Sequence, residues 1–252
     1  MHNVTFAQGT LRCLSLLVAT ALLGGCQSLG MAVGDAFIFE GDLPADFKLR
    51  AQAHYAASNR DSCVGRPRKS QTFENDFHPI PQRYRFRIPV SYYDGTCHLQ
   101  LNRVGLYVHG RYGDLDWQKT YDNGQLLLEQ EMPAGAPGFD AHGVLHKEAK
   151  CEWLFKLSAA RSRLGQLEKL LSCKGAGAYL PLQDLSGKTV RLDIRLNAEE
   201  KPAYKNTWVR LPEGWRLCEP GPGEWRRCQN PPTFRTFKMN GRECTVYPNC
   251  TE

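Results

Sequence analysis

Eight cysteines spread between Cys63 and Cys250 limit what this chain can fold into more than any other feature. The chain holds ten in all. Cys13 and Cys26 fall in an N-terminal segment, leaving Cys63, Cys97, Cys151, Cys173, Cys218, Cys228, Cys244 and Cys250. An even number in an oxidising compartment argues for four disulfides, each stabilising by about 2–4 kcal/mol. Eight cysteines allow about a hundred pairings, so the sequence does not select one outright. Spacing favours two. Cys218 and Cys228 flank the turn-rich run Glu219-Pro220-Gly221-Pro222-Gly223-Glu224-Trp225-Arg226-Arg227, and Cys151 and Cys173 flank another compact segment. Cys244 and Cys250 either close a small final loop or pair elsewhere, and the partners of Cys63 and Cys97 stay open. No Cys-x-x-Cys pair is present, so a zinc site is not expected.

The oxidising compartment is inferred from the N-terminus. Leu14 to Leu23 is an apolar run too short to span a bilayer, and it reads as the core of a signal peptide. It leads into Leu22-Leu23-Gly24-Gly25-Cys26, which resembles a bacterial lipobox. That resemblance implies cleavage before Cys26 and acylation of Cys26. Each buried methylene then adds about 0.8 kcal/mol of membrane affinity. Gln27 follows, and lipoproteins lacking an acidic residue there usually reach the outer membrane. The expected location is therefore a periplasm-facing lipoprotein of the outer membrane. Loss of residues 1–25 leaves 227 residues and removes one charged side chain, Arg12, lowering the formal net charge from +6 to +5.

Strand signals dominate the remainder. Tyr84, Phe86, Ile88, Val90 and Tyr92 alternate with Arg85, Arg87, Pro89 and Ser91, a period of two that buries one face. Pro89 cannot donate to a ladder and marks an edge or bulge. Asp94-Gly95 supplies hairpin-turn chemistry, and the return through Cys97, Leu99 and Leu101 puts Cys97 opposite Tyr92. Leu115–Tyr121 and 125–131 read as a hairpin about Asp122-Asn123-Gly124. Phe234–Met239 and Arg242–Tyr247 read as another about Asn240-Gly241. Val190, Leu192, Ile194 and Leu196 mark a further half-buried strand. The expected fold class is mainly β: an antiparallel, sandwich-like body of hairpins, braced by disulfides, with a small Cys-rich C-terminal extension.

Leu154–Leu171 carries a helical stripe of leucines, yet a Cys151–Cys173 bridge suits a hairpin of Cys151–Leu157 with Leu167–Cys173. A single helix of that length holds its ends too far apart. The hairpin is preferred, with room for a short helical turn in its loop. Met132–Gly143 reads as an exposed loop. The expected organisation is 1–25 signal peptide, 26–206 β-rich periplasmic domain and 207–252 Cys-rich extension, the last too small to be held by apolar burial alone.

No catalytic constellation emerges. Gly-x-Ser-x-Gly, Ser-x-x-Lys and His-Glu-x-x-His are all missing, and neither a cofactor nor a metal is expected. His142 and His146 have metal-like spacing, but Gly143 between them favours loop histidines. His98 and His109 sit on predicted strands, while Asp114, Asp116 and Asp122 read as turn and solvated strand positions. Two basic stretches remain, Arg66-Pro67-Arg68-Lys69 in a loop and Arg83, Arg85 and Arg87 on one strand face. In the tail, Arg210, Arg216, Arg226 and Arg227 interleave with Trp208, Trp215 and Trp225. Tryptophan and arginine are enriched at binding hot spots. Trp208, Trp215, Trp225, Arg226 and Arg227 are therefore the candidate partner-binding residues, against the plainer reading of core tryptophans and a solvated face. Nucleic acid is not an expected partner for an exported protein.

The lipobox, the cysteine-bridged β body and the block Cys151-Glu152-Trp153-Leu154-Phe155-Lys156, closing at Leu170-Leu171-Ser172-Cys173, resemble lipoprotein immunity proteins that protect bacteria from type VI secreted phospholipase effectors. The resemblance is one of general layout: it supplies no specific motif apart from Cys26, the expected lipidation site, and carries over no effector-contacting residue. It implies a membrane-anchored inhibitor whose partner is a toxic lipase. Two other readings stay open: an accessory envelope lipoprotein binding cell-wall glycan, lipopolysaccharide or a secretion component, and a hydrolase with an unrecognised site.

Overall fold

The computed structural model describes residues 35–57, 63, 68–94 and 97–250. The expected signal peptide, Cys26, Arg66, Pro67 and the expected turn residues Gly95 and Thr96 lie outside the described residues. No helix among the described residues is long and apolar enough to cross a membrane.

The body comprises β1 (Ala36–Leu43), β2 (Phe47–Ala57), β3 (Arg68–Glu74), β4 (Gln82–Pro89), β5 (Ser91–Asp94), β6 (Cys97–Arg111) and β7 (Lys119–Glu129). It continues through β8 (Val144–Leu157), β9 (Leu167–Lys174), β10 (Ala178–Pro181), β11 (Thr189–Leu196) and β12 (Lys201–Pro202). The tail adds three two-stranded pairs: β13 (Trp208–Leu211) with β14 (Gly214–Leu217), β15 (Pro220–Gly221) with β16 (Glu224–Cys228), and β17 (Phe237–Met239) with β18 (Arg242–Cys244).

Two six-stranded sheets form a disulfide-braced sandwich, as the alternating pattern leads one to expect. The first runs β9-β8-β11-β1-β4, with β12 rejoining β8 beyond the end of β11; the second runs β10-β7-β6-β2-β3, with β5 also on β6. Period-two patterning explains the core. Phe37 and Phe39 of β1 and Val190, Leu192 and Ile194 of β11 point inward, facing Leu49, Ala51 and Ala53 of β2 and Val104, Leu106 and Val108 of β6. Each Val, Leu, Ile or Phe side chain among these stabilises by about 1.5–3 kcal/mol when fully buried. At Asn102 a bulge interrupts β6: His54 pairs Arg103 and Tyr55 pairs Leu101. The inward set consequently moves from Cys97, Leu99 and Leu101 to Val104, Leu106 and Val108.

The pairing is mixed rather than antiparallel throughout. β1 with β11, β11 with β8, β12 with β8, and β10 with β7 all run parallel. Parallel neighbours are joined by long crossovers, which hairpin chemistry read locally does not report. The alternating run from Tyr84 divides at Pro89. β4 belongs to the first sheet and β5 to the second, so the chain turns a corner between layers. That corner is satisfied by Tyr55 Oη donating to the Pro89 carbonyl at 3.0 Å. The β5–β6 register also differs from expectation, because Asp94 faces Cys97 and Tyr92 faces Leu99. A slide of two keeps every side chain on its own face, so patterning does not discriminate between the registers. The Leu101 N–H bond to the Val90 carbonyl, 2.9 Å, fixes this one.

Asp122-Asn123-Gly124 is not a turn. β7 passes straight through it, paired with β6 from Arg111↔Lys119 to Arg103↔Leu127. The reversal lies earlier, around a short 3-10 turn at Asp116–Gln118. Gly124 serves close approach instead: a Cβ there would lie 1.3 Å from the Ala176 carbonyl oxygen. Asp122 accepts the Cys173 N–H at 2.6 Å, tying β7 to β9 across the layers. At Asn240-Gly241 the predicted turn is present, with φ of 50° and 79°.

β8 and β9 form the expected hairpin, with a short 3-10 turn at Arg161–Arg163 in its loop. Cys151 and Cys173 are direct cross-strand partners and are bonded. The other bridges are Cys63–Cys97, Cys218–Cys228 and Cys244–Cys250. Met132–Gly143 is a largely exposed loop. The tail builds a second small core on the far end of the β8–β9 hairpin. Phe155 and Leu167 supply its floor, and Trp208, Leu217, Phe237, Cys244 and Tyr247 close over them.

Candidate binding surface

The three tail tryptophans occupy three different environments. Trp208 is 6 % exposed, its ring edge-on to Phe155 at 5.1 Å and to Phe237 at 5.1 Å. It is a core residue, which corrects its assignment as a contact candidate. The tail alone has little interior, but Phe155 and Leu167 of the body provide the missing half. Trp215 is half-buried. It lines a groove of about 310 Å³ with Glu199, Arg210, Pro212, Tyr247 and Pro248. Arg210 lies over the Trp215 ring at 5.5 Å and is bonded to Glu199. That hydrogen bond, with the guanidinium charge, holds the Glu199 carboxyl below its ordinary pKa. Tyr247 Oη donates to Glu200, and Lys169 reaches the same carboxylate at 2.8 Å. Burial first, and then that acceptor, push the Tyr247 hydroxyl well up.

Trp225 stands outside. It is 73 % exposed on β16, whose residues Glu224 to Arg227 are all exposed. The Arg226 guanidinium lies 3.9 Å from the Trp225 ring centre and 4.8 Å from that of Tyr204. Such cation–π contacts contribute about 0.5–1 kcal/mol each at exposed sites. Arg227 pairs with Glu224 at 3.6 Å. The hairpin carrying these groups is fastened at its base by Cys218–Cys228, by Cys228 N–H to the Asn206 carbonyl at 2.7 Å, and by Gln229 N–H to the Glu219 carbonyl at 3.2 Å. An aromatic–guanidinium stack is thus held on a braced strand, which limits the ordering cost of a contact. Tyr204 is a member that sequence reasoning passes over. Its signal was available, as the single aromatic residue in the polar stretch 197–206.

The remaining candidates separate. Arg83 pairs with Asp42 at 3.1 Å and Arg85 with Glu40, so β1 engages two of the three arginines on that strand face. Arg191 joins Asp42 at 2.8 Å and Asp193 at 3.2 Å in the same network. Arg68 and Lys69 open β3, with Lys69 Nζ 4.4 Å from the Tyr92 ring centre. Asp140 accepts the N–H groups of His142 and Val144 at 2.9 and 2.8 Å, ordering the loop between the paired histidines. His109 packs against Tyr121 at 5.3 Å, and its buried Nε2 has no hydrogen-bond partner. Burial, aided by Lys48 and Arg50, lowers its pKa, favouring the neutral ring. Among the described residues no group of three or more His, Cys, Asp or Glu is placed to hold a metal ion. Comparison with protein-family models, curated proteins and solved structures finds no match to this chain.

Proposed function

We propose that this chain is a membrane-anchored periplasmic inhibitor that captures a secreted phospholipase effector, using the Trp225–Arg226–Tyr204 stack as its contact surface. The observation that carries the reading is an exposed tryptophan, stacked with arginine and tyrosine, on a hairpin pinned by a disulfide and two backbone bonds. Burying an indole of this kind at the centre of an interface is worth about 2 kcal/mol or more. Arginine beside it offers bidentate pairing to a carboxylate of an acidic partner. The Cys26 acyl anchor, which the lipobox resemblance implies, would keep the inhibitor beside the phospholipid that such an effector attacks.

The test is a sibling competition on a contact-promoting surface, with the gene deleted and then restored as wild type or as Trp225→Ala/Arg226→Ala. The reading expects the deletion strain to be killed by its parent and spared when the parent's type VI apparatus is inactivated. Wild-type restoration protects, and the double variant protects poorly at equal protein level. Equal survival of the deletion strain while that apparatus fires overturns the inhibitor reading. It would favour an accessory envelope lipoprotein, and binding of cell-wall glycan and lipopolysaccharide would be measured next.

A further inference from the structure

The outer face of the first sheet is banded by charge across its strands. In one row Asp193 of β11 neighbours Glu148 of β8. Two residues on, Arg195 neighbours Lys150, and Lys150 in turn neighbours Lys174 of β9. Three cations therefore stand side by side on adjacent strands, where Cβ atoms are about 5 Å apart and like charges repel. Their neutralisation is incomplete. Glu148 is shared between Lys150 at 3.7 Å and Arg195 at 3.8 Å. The Lys174 ammonium has no partner among the described residues.

This row opens on a depression of about 370 Å³ lined by Lys150, Lys174 and Arg195, with Glu152, Lys201 and Asn197 on its remaining wall. Lys201 is already engaged by Glu152 at 3.1 Å. Cys151, bonded to Cys173, also lines it, and that bridge braces the strands bearing the two lysines. We propose that the depression is a binding site for a phosphate group, held by Lys150, Lys174 and Arg195. A tetrahedral phosphate presents several oxygens at once, one for each cation, with Arg195 able to take two. Its negative charge offsets the repulsion within the row. A single carboxylate, as Glu148 shows, leaves part of that repulsion in place. The site is separate from the Trp225 surface and stands or falls independently of the inhibitor reading.

The experiment titrates the full chain with inorganic phosphate and follows its melting temperature. In parallel, cosedimentation is measured with phosphatidylcholine vesicles with and without phosphatidylglycerol. Any lipid anchor contributes to both vesicle types, so their difference reports the headgroup. Phosphate is expected to raise the melting temperature saturably, and Lys174→Gln to weaken the apparent affinity about tenfold. Lys150→Gln weakens it likewise while raising the melting temperature in the absence of phosphate, a pair of effects that a merely structural lysine would not show. Lys238→Gln removes the same charge from the tail and leaves the affinity unchanged. A thermal shift from inorganic phosphate without a vesicle difference identifies a free ion as the ligand. A phosphatidylglycerol dependence lost in Lys174→Gln identifies a lipid headgroup. Neither response, or responses that persist in both lysine variants or fall equally in Lys238→Gln, overturns the site.

Discussion

The body and the tail of this protein reach order by opposite routes. Strands β1 to β12 of the body bury alternating side chains between two sheets, and long strands such as β2 and β6 pair over most of their length. Residues 207–250 have only short two-stranded pairs, two disulfides and a core whose floor belongs to the body. Burial that scales with sheet area holds the first region. In the second, cross-links close loops that apolar area alone would leave open. The tail therefore depends on β8 and β9 for the floor of its core.

The sharpest way to break this contrast is Phe155→Ala. Its ring is fully buried and meets Trp208, Trp215 and Tyr247, so truncation costs about 3–5 kcal/mol. Tryptophan fluorescence and amide exchange are expected to show the tail loosening before the sandwich does. Simultaneous loss of both regions would abolish the distinction. Next come the bridges. Replacing Cys151 and Cys173 by alanine reopens a separation of 22 residues and costs about 3 kcal/mol; replacing Cys244 and Cys250 reopens 6 and costs about 2 kcal/mol. The smaller global loss should nonetheless be the more damaging locally. Exchange protection should vanish at β17 and β18 in the second variant, while the body strands of the first stay protected at a lower melting temperature. Smallest is Gly241→Ala. It places a side chain at φ 79° and costs about 1 kcal/mol, read as a shift in melting temperature with the body's exchange pattern unchanged.

The same contrast explains what could be read from the chain itself. Where structure follows from neighbours in sequence it was legible: the alternation at Tyr84 to Ile88, the strand at Val190, the hairpin implied by Cys151 and Cys173, and the Asn240-Gly241 turn. Asn123-Gly124 carries the same dipeptide and has a different role, because its glycine answers to the Ala176 carbonyl some fifty residues away. The parallel pairings were illegible for a related reason, since β1 finds β11 across most of the body. Trp208 was misplaced because a tail viewed alone offers no floor for an indole, whereas Phe155 and Leu167 provide one. On the candidate surface, Trp225 and Arg226 stood out by residue type. Their joining with Tyr204 depends on how the chain at 204 returns beside β16.

The corner at Pro89 and Val90 bears on how a family of such chains could diverge. One continuous run serves the first sheet up to Pro89 and the second from Ser91. Its facing side chains keep step in both layers only while the number of residues between Ile88 and Tyr92 is unchanged. A single insertion there would turn the residues beyond it outward in one layer while the other stayed correct. Length variation should therefore accumulate in the open stretch 132–143 and be excluded from this junction, leaving the spacing of the corner as a signature of common descent after the surrounding sequence has drifted.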